Sequence, residues 1–147
     1  MGATGTGISR LSVDLATYFQ GEIINSDKMQ VYKGLEIVTN QITHAEKQGV
    51  QHYLLDIHIC EIDLDSNFTA EELCLKSIVY IEFFLKTQCV PIIVGVSNSY
   101  IEKLVEDPTF LFSHKYDSSF IWINLEQLVL NRRVHTRVDE MVNALSF

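Results

Sequence analysis

Basic residues, cysteines and long apolar runs are all scarce in this chain, and each shortage narrows what it can do. Lysine and arginine number 11 against 19 aspartates and glutamates, a net charge of −8. Binding along a nucleic-acid backbone rests on clustered cations, so a large surface of that kind is not expected. A nucleotide-sized anion is still within reach, because a few backbone N–H groups and one metal ion suffice to hold it. Three cysteines, Cys60, Cys74 and Cys89, are too widely spaced for a disulfide framework and point to a reducing compartment. His58 and Cys60 lack the second pair that a zinc site needs, and they read as ordinary side chains. No apolar run approaches the ~18–20 residues of a membrane span, and no signal or transit peptide is visible. What is plentiful is apolar side chain: 47% of 147 residues, enough for the core of one domain spanning residues 1–147.

The stretch GATGTGISR, from Gly2 to Arg10, has the spacing of a phosphate-binding loop. Gly2 and Gly7 are separated by four residues, and Ser9 stands where such loops usually hold magnesium. Gly2, Gly5 and Gly7 let backbone N–H groups converge on an anion without Cβ atoms in the way. A helix following at once would add its N-terminal dipole to the same attraction. Where the pattern calls for lysine, however, the chain has Ile8, which carries neither charge nor a donor. Taken alone, the stretch also reads as a flexible glycine-rich start to a helix. A loop of this kind normally hangs from the end of a strand, yet only Met1 precedes Gly2. The expectation is therefore either a truncated product or a loop supported from elsewhere.

Along the chain, Leu11, Leu15 and Phe19 recur at helical spacing, with Val13 and Ala16 beside them, and predict a core-facing helix over residues 8–19 ended by Gly21. Residues 22–26 read as a short buried strand that delivers Ser26 and Asp27 at its end. Residues 28–34 read as a turn and short helix, and residues 34–51 as a surface excursion. A second strand is predicted over 52–57, followed by a solvated acidic loop with Glu61, Asp63 and Asp65. Thr69, with Glu72 three residues on, has the form of a capping box for a helix reaching about Lys86, with Leu73, Ile78, Ile81, Phe84 and Leu85 inward. Residues 91–95 have the continuous apolar character of a parallel strand covered on both faces. A helix capped by Ser97 or Asn98 follows and ends at Asp107 and Pro108. A fourth strand is predicted over 120–124, then an amphipathic helix over 125–145 carrying Arg132, Arg133 and Arg137. Strands alternating with helices predict an α/β fold, an open parallel sheet with helices on both faces.

Three stretches resemble the adenylate isopentenyltransferases of plants, relatives of the tRNA dimethylallyltransferases: GATGTGISRLSVDLA from Gly2, GEIINSDKMQVYKGLEIVTN from Gly21, and PIIVGVSNSYIEKLV from Pro91. Weaker matches are HYLLDI, FTAEEL, FIWIN and RVDEMV. The resemblance implies a fold like that of P-loop NTPases, here lacking the usual first strand. It also implies transfer of a dimethylallyl group from dimethylallyl diphosphate to the exocyclic amine of an adenine nucleotide (ATP, ADP or AMP), a cytokinin precursor being made. SDKMQVY is closer to the adenylate branch than to the tRNA branch. Magnesium is the implied cofactor. A monomer in cytoplasm or plastid, without a membrane partner, is expected.

That chemistry assigns roles. Adenine's amine is a weak nucleophile, and the family places a proton-accepting carboxylate where Asp27 stands; from position alone Asp27 also reads as a helix N-cap. Gly2, Thr4, Gly5, Thr6, Gly7 and Ser9 become diphosphate ligands, with Ser9 also on magnesium. The arginine of the RVD-x-M stretch, Arg137, is assigned to the diphosphate, with Arg133 second; four residues apart, both lie on one helix face, which could equally be a solvated one. Ser97, Asn98 and Tyr100 match a loop near the substrates, and simple helix capping accounts for them as well. The chain departs from the family at Ile8, where the family has lysine, and at Val96, where it has a second glycine. If position 96 needs positive φ, valine there is strained. An impaired transferase and a non-catalytic relative both fit these departures. A small-molecule kinase shares the loop but not Asp27 in its setting.

Overall fold

Successive residues of a strand face opposite sides of a sheet, and Ile23 and Ile24, at 1% and 0% exposure, belong to two different hydrophobic layers. They lie in β1 (Gly21–Asn25). The computed structural model describes residues 1–27, 30, 41–55, 69–96 and 98–145. In it β1 is the middle of a three-stranded sheet, with β2 (His52–Tyr53) on one side and β3 (Val90–Val94) on the other, both parallel to it. Ile23 is paired with His52 and Ile92, and Ile24 with Tyr53 and Ile93. The open parallel architecture is the one the sequence predicts.

Helices cover both faces. α1 (Ile8–Phe19) packs Val13 and Ala16 on Ile23, joined by Ile42, Val50, Ile92 and Val94. On the other face lie α2 (Ala70–Lys86), α3 (Asn98–Glu106) and the one-turn α4 (Phe112–Lys115), whose Leu73, Phe84, Leu104 and Phe112 gather around Ile24. α2 starts on the predicted capping box: Glu72 N–H donates to the Thr69 hydroxyl at 3.2 Å, and Thr69 N–H donates to the Glu72 carboxylate at 2.9 Å. α5 (Gln127–Leu145) closes the described chain. Among the described residues no helix is long and apolar enough to cross a membrane.

Several expectations need correcting. The residue that ends α1 is Gln20, left-handed at φ 54°, and not Gly21. Gly21 already lies in β1, where a Cβ would meet the Val90 carbonyl at 2.5 Å. The inward face of α1 is Ser12, Val13 and Ala16, whereas Leu11 and Phe19 are exposed. Leu85 of α2 is exposed too. β3 is covered on both faces as expected, Ile93 by one layer and Ile92 and Val94 by the other, but it is only half-buried and, among the described residues, an edge strand. Residues 120–124 form no strand: Ile123 makes one parallel bridge with Gly2, and Phe120, Ile121 and Trp122 stay exposed. A strand exists only against a partner backbone about 4.8 Å away, and among the described residues only Met1 and Gly2 lie beside 121–123, too short a partner for more than one bridge. α4 falls between Pro108 and residue 120, where the sequence predicts no element. His58, Cys60, Glu61, Asp63 and Asp65 lie outside the described residues, as do the end of the 52–57 strand and nearly all of 28–40.

Candidate active site

The glycine loop is bent by its own backbone. The Ala3 carbonyl accepts from the Thr6 N–H at 3.2 Å and from the Thr6 hydroxyl at 2.7 Å, closing a turn. Gly5 and Gly7 then sit at φ 84° and 86°, left-handed backbone that costs any other L-residue about 1–2 kcal/mol. Gly5 is also crowded, since a Cβ there would come within 3.2 Å of Val134 and 3.5 Å of Leu130, so α5 rests on the loop at this point. Gly7 begins α1 without a side-chain cap, which leaves the first helical N–H groups for a ligand.

Beside the loop is a cleft of about 160 Å³. Thr4, Gly5, Gly7, Ile8 and Ser9 form one wall; Asn25 and Asp27, at the end of β1, form another. Val94, Gly95 and Val96 close it from the end of β3, with Gln30 and, from α5, Arg137 completing the rim. The cleft thus lies at the C-terminal ends of parallel strands, where ligands bind in open α/β sheets. Its volume is below the ~300–1,000 Å³ of a site that swallows a whole small molecule, so it has room for reacting groups, with the rest of a ligand outside.

Two residues that sequence reasoning missed hold this geometry. Asn25 donates from Nδ2 to the carbonyls of Leu54 and Asp27, and its Oδ1 accepts from the Asp27 N–H, each at 3.2 Å. It ties the end of β1 to the segment after β2 and fixes the backbone that presents Asp27. Leu54 holds φ 61° in the buried core, a strained conformation that surrounding contacts must maintain. Gly95 has no space for a side chain: a Cβ would overlap Ser26 Oγ and lie 2.7 Å from Ser26 C and 2.9 Å from Asp27 N. The Ser26 hydroxyl, buried beneath it, has no hydrogen-bond partner among the described residues. A polar residue ending the apolar run GEII was the available signal for Asn25. Val96 is not among the residues at positive φ, so the strain anticipated there is absent.

Arg137 and Asp27 carry the cleft's opposite charges. Burial draws the Arg137 guanidinium down from its ordinary value, and the carboxylates of Asp27, Glu140 and Glu46 act against that shift. An arginine nonetheless stays protonated near neutral pH. Of the residues predicted from sequence, Thr4, Gly5, Gly7, Ser9, Asp27 and Arg137 come together here. Gly2 instead pairs with Ile123, and Thr6 is turned inward and buried. Arg133 is exposed on α5 beside Gly7, whose Cβ would lie 3.7 Å from its Nη1. Tyr100 does not line the cleft: it is 8% exposed in the core with Leu73, Cys74 and Leu104, on the inward side of α3. Asn98 begins α3, and Ser97 lies outside the described residues. Among the described residues no three His, Cys, Asp or Glu side chains gather into a ready-made metal site. The Ser9 hydroxyl and the Asp27 carboxylate are nonetheless hard oxygen donors of the type that suits magnesium, which keeps much of its coordination for water and substrate phosphates.

The sequence model of the family described as IPP transferase matches residues 30–115. The chain belongs to the IPP transferase family. It is 51% identical over 144 residues to adenylate isopentenyltransferase 3, chloroplastic, of Arabidopsis thaliana, a match covering 98% of this chain and 42% of that protein. To adenylate isopentenyltransferase 7, mitochondrial, of the same plant it is 46% identical, over 98% of this chain and 43% of the relative. The chain thus spans less than half the length of these curated relatives. Among solved IPP transferase structures, the full-length tRNA isopentenylpyrophosphate transferase of Bacillus halodurans superposes with a TM-score of 0.85 at 25% identity, covering 97% of this chain and 64% of that one. The enzyme from Staphylococcus epidermidis gives 0.65 at 32% identity, covering 96% and 40%.

Proposed function

We propose that the cleft carries out prenyl transfer from dimethylallyl diphosphate to the exocyclic amine of an adenine nucleotide. The observation that carries this reading is the assembly of the glycine loop, Asp27 and Arg137, from separate parts of the chain, around one small cavity. In the reaction the carbon–oxygen bond to the diphosphate breaks, a carbon–nitrogen bond to the amine forms, and the amine loses a proton. The loop N–H groups and Arg137 stabilise the charge gathering on the departing diphosphate. Asp27, across the cleft, accepts the proton. Magnesium, held by the Ser9 hydroxyl together with phosphate oxygens and water, would neutralise further charge on the leaving group. The acceptor is a free nucleotide rather than tRNA, in keeping with the names of the curated relatives and the acidic balance of the chain. A monomer in plastid or cytoplasm is part of the same reading.

Ile8 favours a second reading, a non-catalytic relative, because it lines the cleft and its methyl groups desolvate an anion without offsetting its charge. One oriented donor to developing charge is worth about 3–4 kcal/mol, or roughly 10²–10³ in rate. Calorimetry with inorganic diphosphate and magnesium tests the site. Weak, magnesium-dependent binding is expected, tightened by Ile8→Lys and weakened by Arg137→Gln; equal affinity in all three chains removes the phosphate site and the proposal with it. Turnover with labelled dimethylallyl diphosphate separates the two readings. Slow transfer that Asp27→Asn abolishes, with diphosphate affinity kept, supports the enzyme. No transfer in either the unaltered chain or Ile8→Lys supports the non-catalytic relative.

A further inference from the structure

The outward face of α2 is apolar along its middle. Leu75, Val79 and Phe83, each four residues from the next, are 52%, 66% and 55% exposed. Residues at that spacing lie one above the other on a helix, so the three form a single row. The row is opposite the inward side chains Leu73, Cys74, Ser77, Ile81 and Phe84. Apolar residues scattered singly over a surface are ordinary, whereas a contiguous row marks a place of contact. α4 meets α2 to one side of the row, through Glu82, which takes Lys115 at 2.5 Å and accepts from the Tyr116 hydroxyl.

The order of residues around Val79 says what fits there. Leu75 and Phe83 stand four residues to either side of it, and Glu72 and Lys86 seven to either side. Offsets of four and seven both return to nearly the same side of a helix. The row therefore carries an acid at one end and a base at the other. A second α2 laid antiparallel, with a two-fold axis at Val79, sets Val79 on Val79 and each Leu75 on the other copy's Phe83. It also brings each Glu72 to the same end as the other copy's Lys86. Glu72 accepts from the Thr69 N–H at 2.9 Å, and a carboxylate has acceptor capacity left for a lysine. A parallel pair would instead set Glu72 on Glu72 and Lys86 on Lys86. Rows of residues four apart are the ridges that interdigitate in the commonest class of helix packing.

We infer that the outward face of α2 is a self-association surface, on which a second copy of this chain seats its own α2 antiparallel. A two-fold contact needs a patch complementary to itself, and both the apolar row and its charged ends meet that condition about one residue. An unrelated partner would require no such symmetry. One pair of crossing helices buries less than the ~1,200–2,000 Å² of a stable interface. The pair is therefore weak, and the monomer of the proposed function is its dilute form. No α2 residue lines the cleft beside the glycine loop, so pairing leaves both clefts open, and the inference does not depend on the chemistry proposed for them.

Sedimentation of the full chain over the ~1 µM–1 mM range in which contacts of this size dissociate should show its mass rising toward that of two copies. Val79→Glu, which sets two carboxylates face to face at the centre, should weaken pairing about a hundred-fold. Disulfide capture reads the orientation. Leu75→Cys and Phe83→Cys chains should crosslink when mixed under oxidised glutathione. Each alone should crosslink no more than the unaltered chain, whose own cysteines set the background. A single monomeric species across the range overturns the inference, and so does pairing that Val79→Glu leaves unchanged, which places the contact elsewhere. Crosslinking of each cysteine variant with itself, or none in the mixture, overturns the antiparallel arrangement and the inference with it. Should a lowered urea midpoint show that Val79→Glu disturbs the fold, Val79→Ser makes the same comparison. Pairing about ten-fold weaker is then expected, and equal pairing refutes the inference.

Discussion

Replacing Asn25 by alanine should unlock the end of β1 and loosen the cleft, and the cost can be worked from its three hydrogen bonds. The bond from Nδ2 to the Leu54 carbonyl is buried. Removing its donor strands an acceptor away from water, which costs about 1–3 kcal/mol. The two bonds with the Asp27 backbone are only part-buried, and at 3.2 Å they are at the long end of the range. Water can take over some of their role, so each contributes about 0.5 kcal/mol. The total is about 2–4 kcal/mol, a fall in Tm of about 4–16 °C for a chain of this size. Urea unfolding should show the same loss as a shift in midpoint at unchanged slope. Asn25→Asp should not rescue stability, because it keeps the acceptor for Asp27 N–H but turns an oxygen toward each of two carbonyls. A loss below about 0.5 kcal/mol, the level of an ordinary surface change, would refute the clamp.

Gly95→Ala should destabilise by about 1–3 kcal/mol through overpacking and should also weaken diphosphate binding, since the atoms displaced include Asp27 N; unchanged stability and binding would show that the strand ends can part freely. Thr69→Ala should cost about 1 kcal/mol, read as a shift in urea midpoint, because it removes the acceptor for Glu72 N–H. His52 is half-buried, and that burial lowers its pKa below the usual 6.5, against the opposing pull of the Val50 carbonyl. Its neutral form is the one the fold favours, so its contribution is intact above pH 6.5 and is lost as pH falls through the lowered folded value. Urea midpoints measured downward from pH 7.5 should decline across that window and flatten in His52→Gln; an equal slope in both would assign the decline to other groups.

Local chemistry was enough to determine the elements whose signals are self-contained. The capping box at Thr69 and Glu72 and the glycine spacing from Gly2 to Gly7 each draw on residues a few positions apart, and each appears where the sequence puts it. So do the apolar cores of β1 and β3, whose continuous runs announce a parallel sheet. What the tertiary structure alone decided is which surfaces meet. Leu11, Leu15 and Phe19 form an apolar stripe whether it faces a core or an open groove, and nothing in its period distinguishes the two. Residues 120–124 have strand-forming side chains, but a strand is a relation between two backbones, and among the described residues they meet only Met1 and Gly2. Tyr100 stands in a loop-like motif near the site, yet the rotation of α3 carries it into the core. Asp27 and Arg137 lie far apart along the chain, and they share a cleft because α5 comes to rest on Gly5, the residue with no side chain to hold it off. Sequence specifies side chains and short-range backbone preference; distances between remote segments come only from packing.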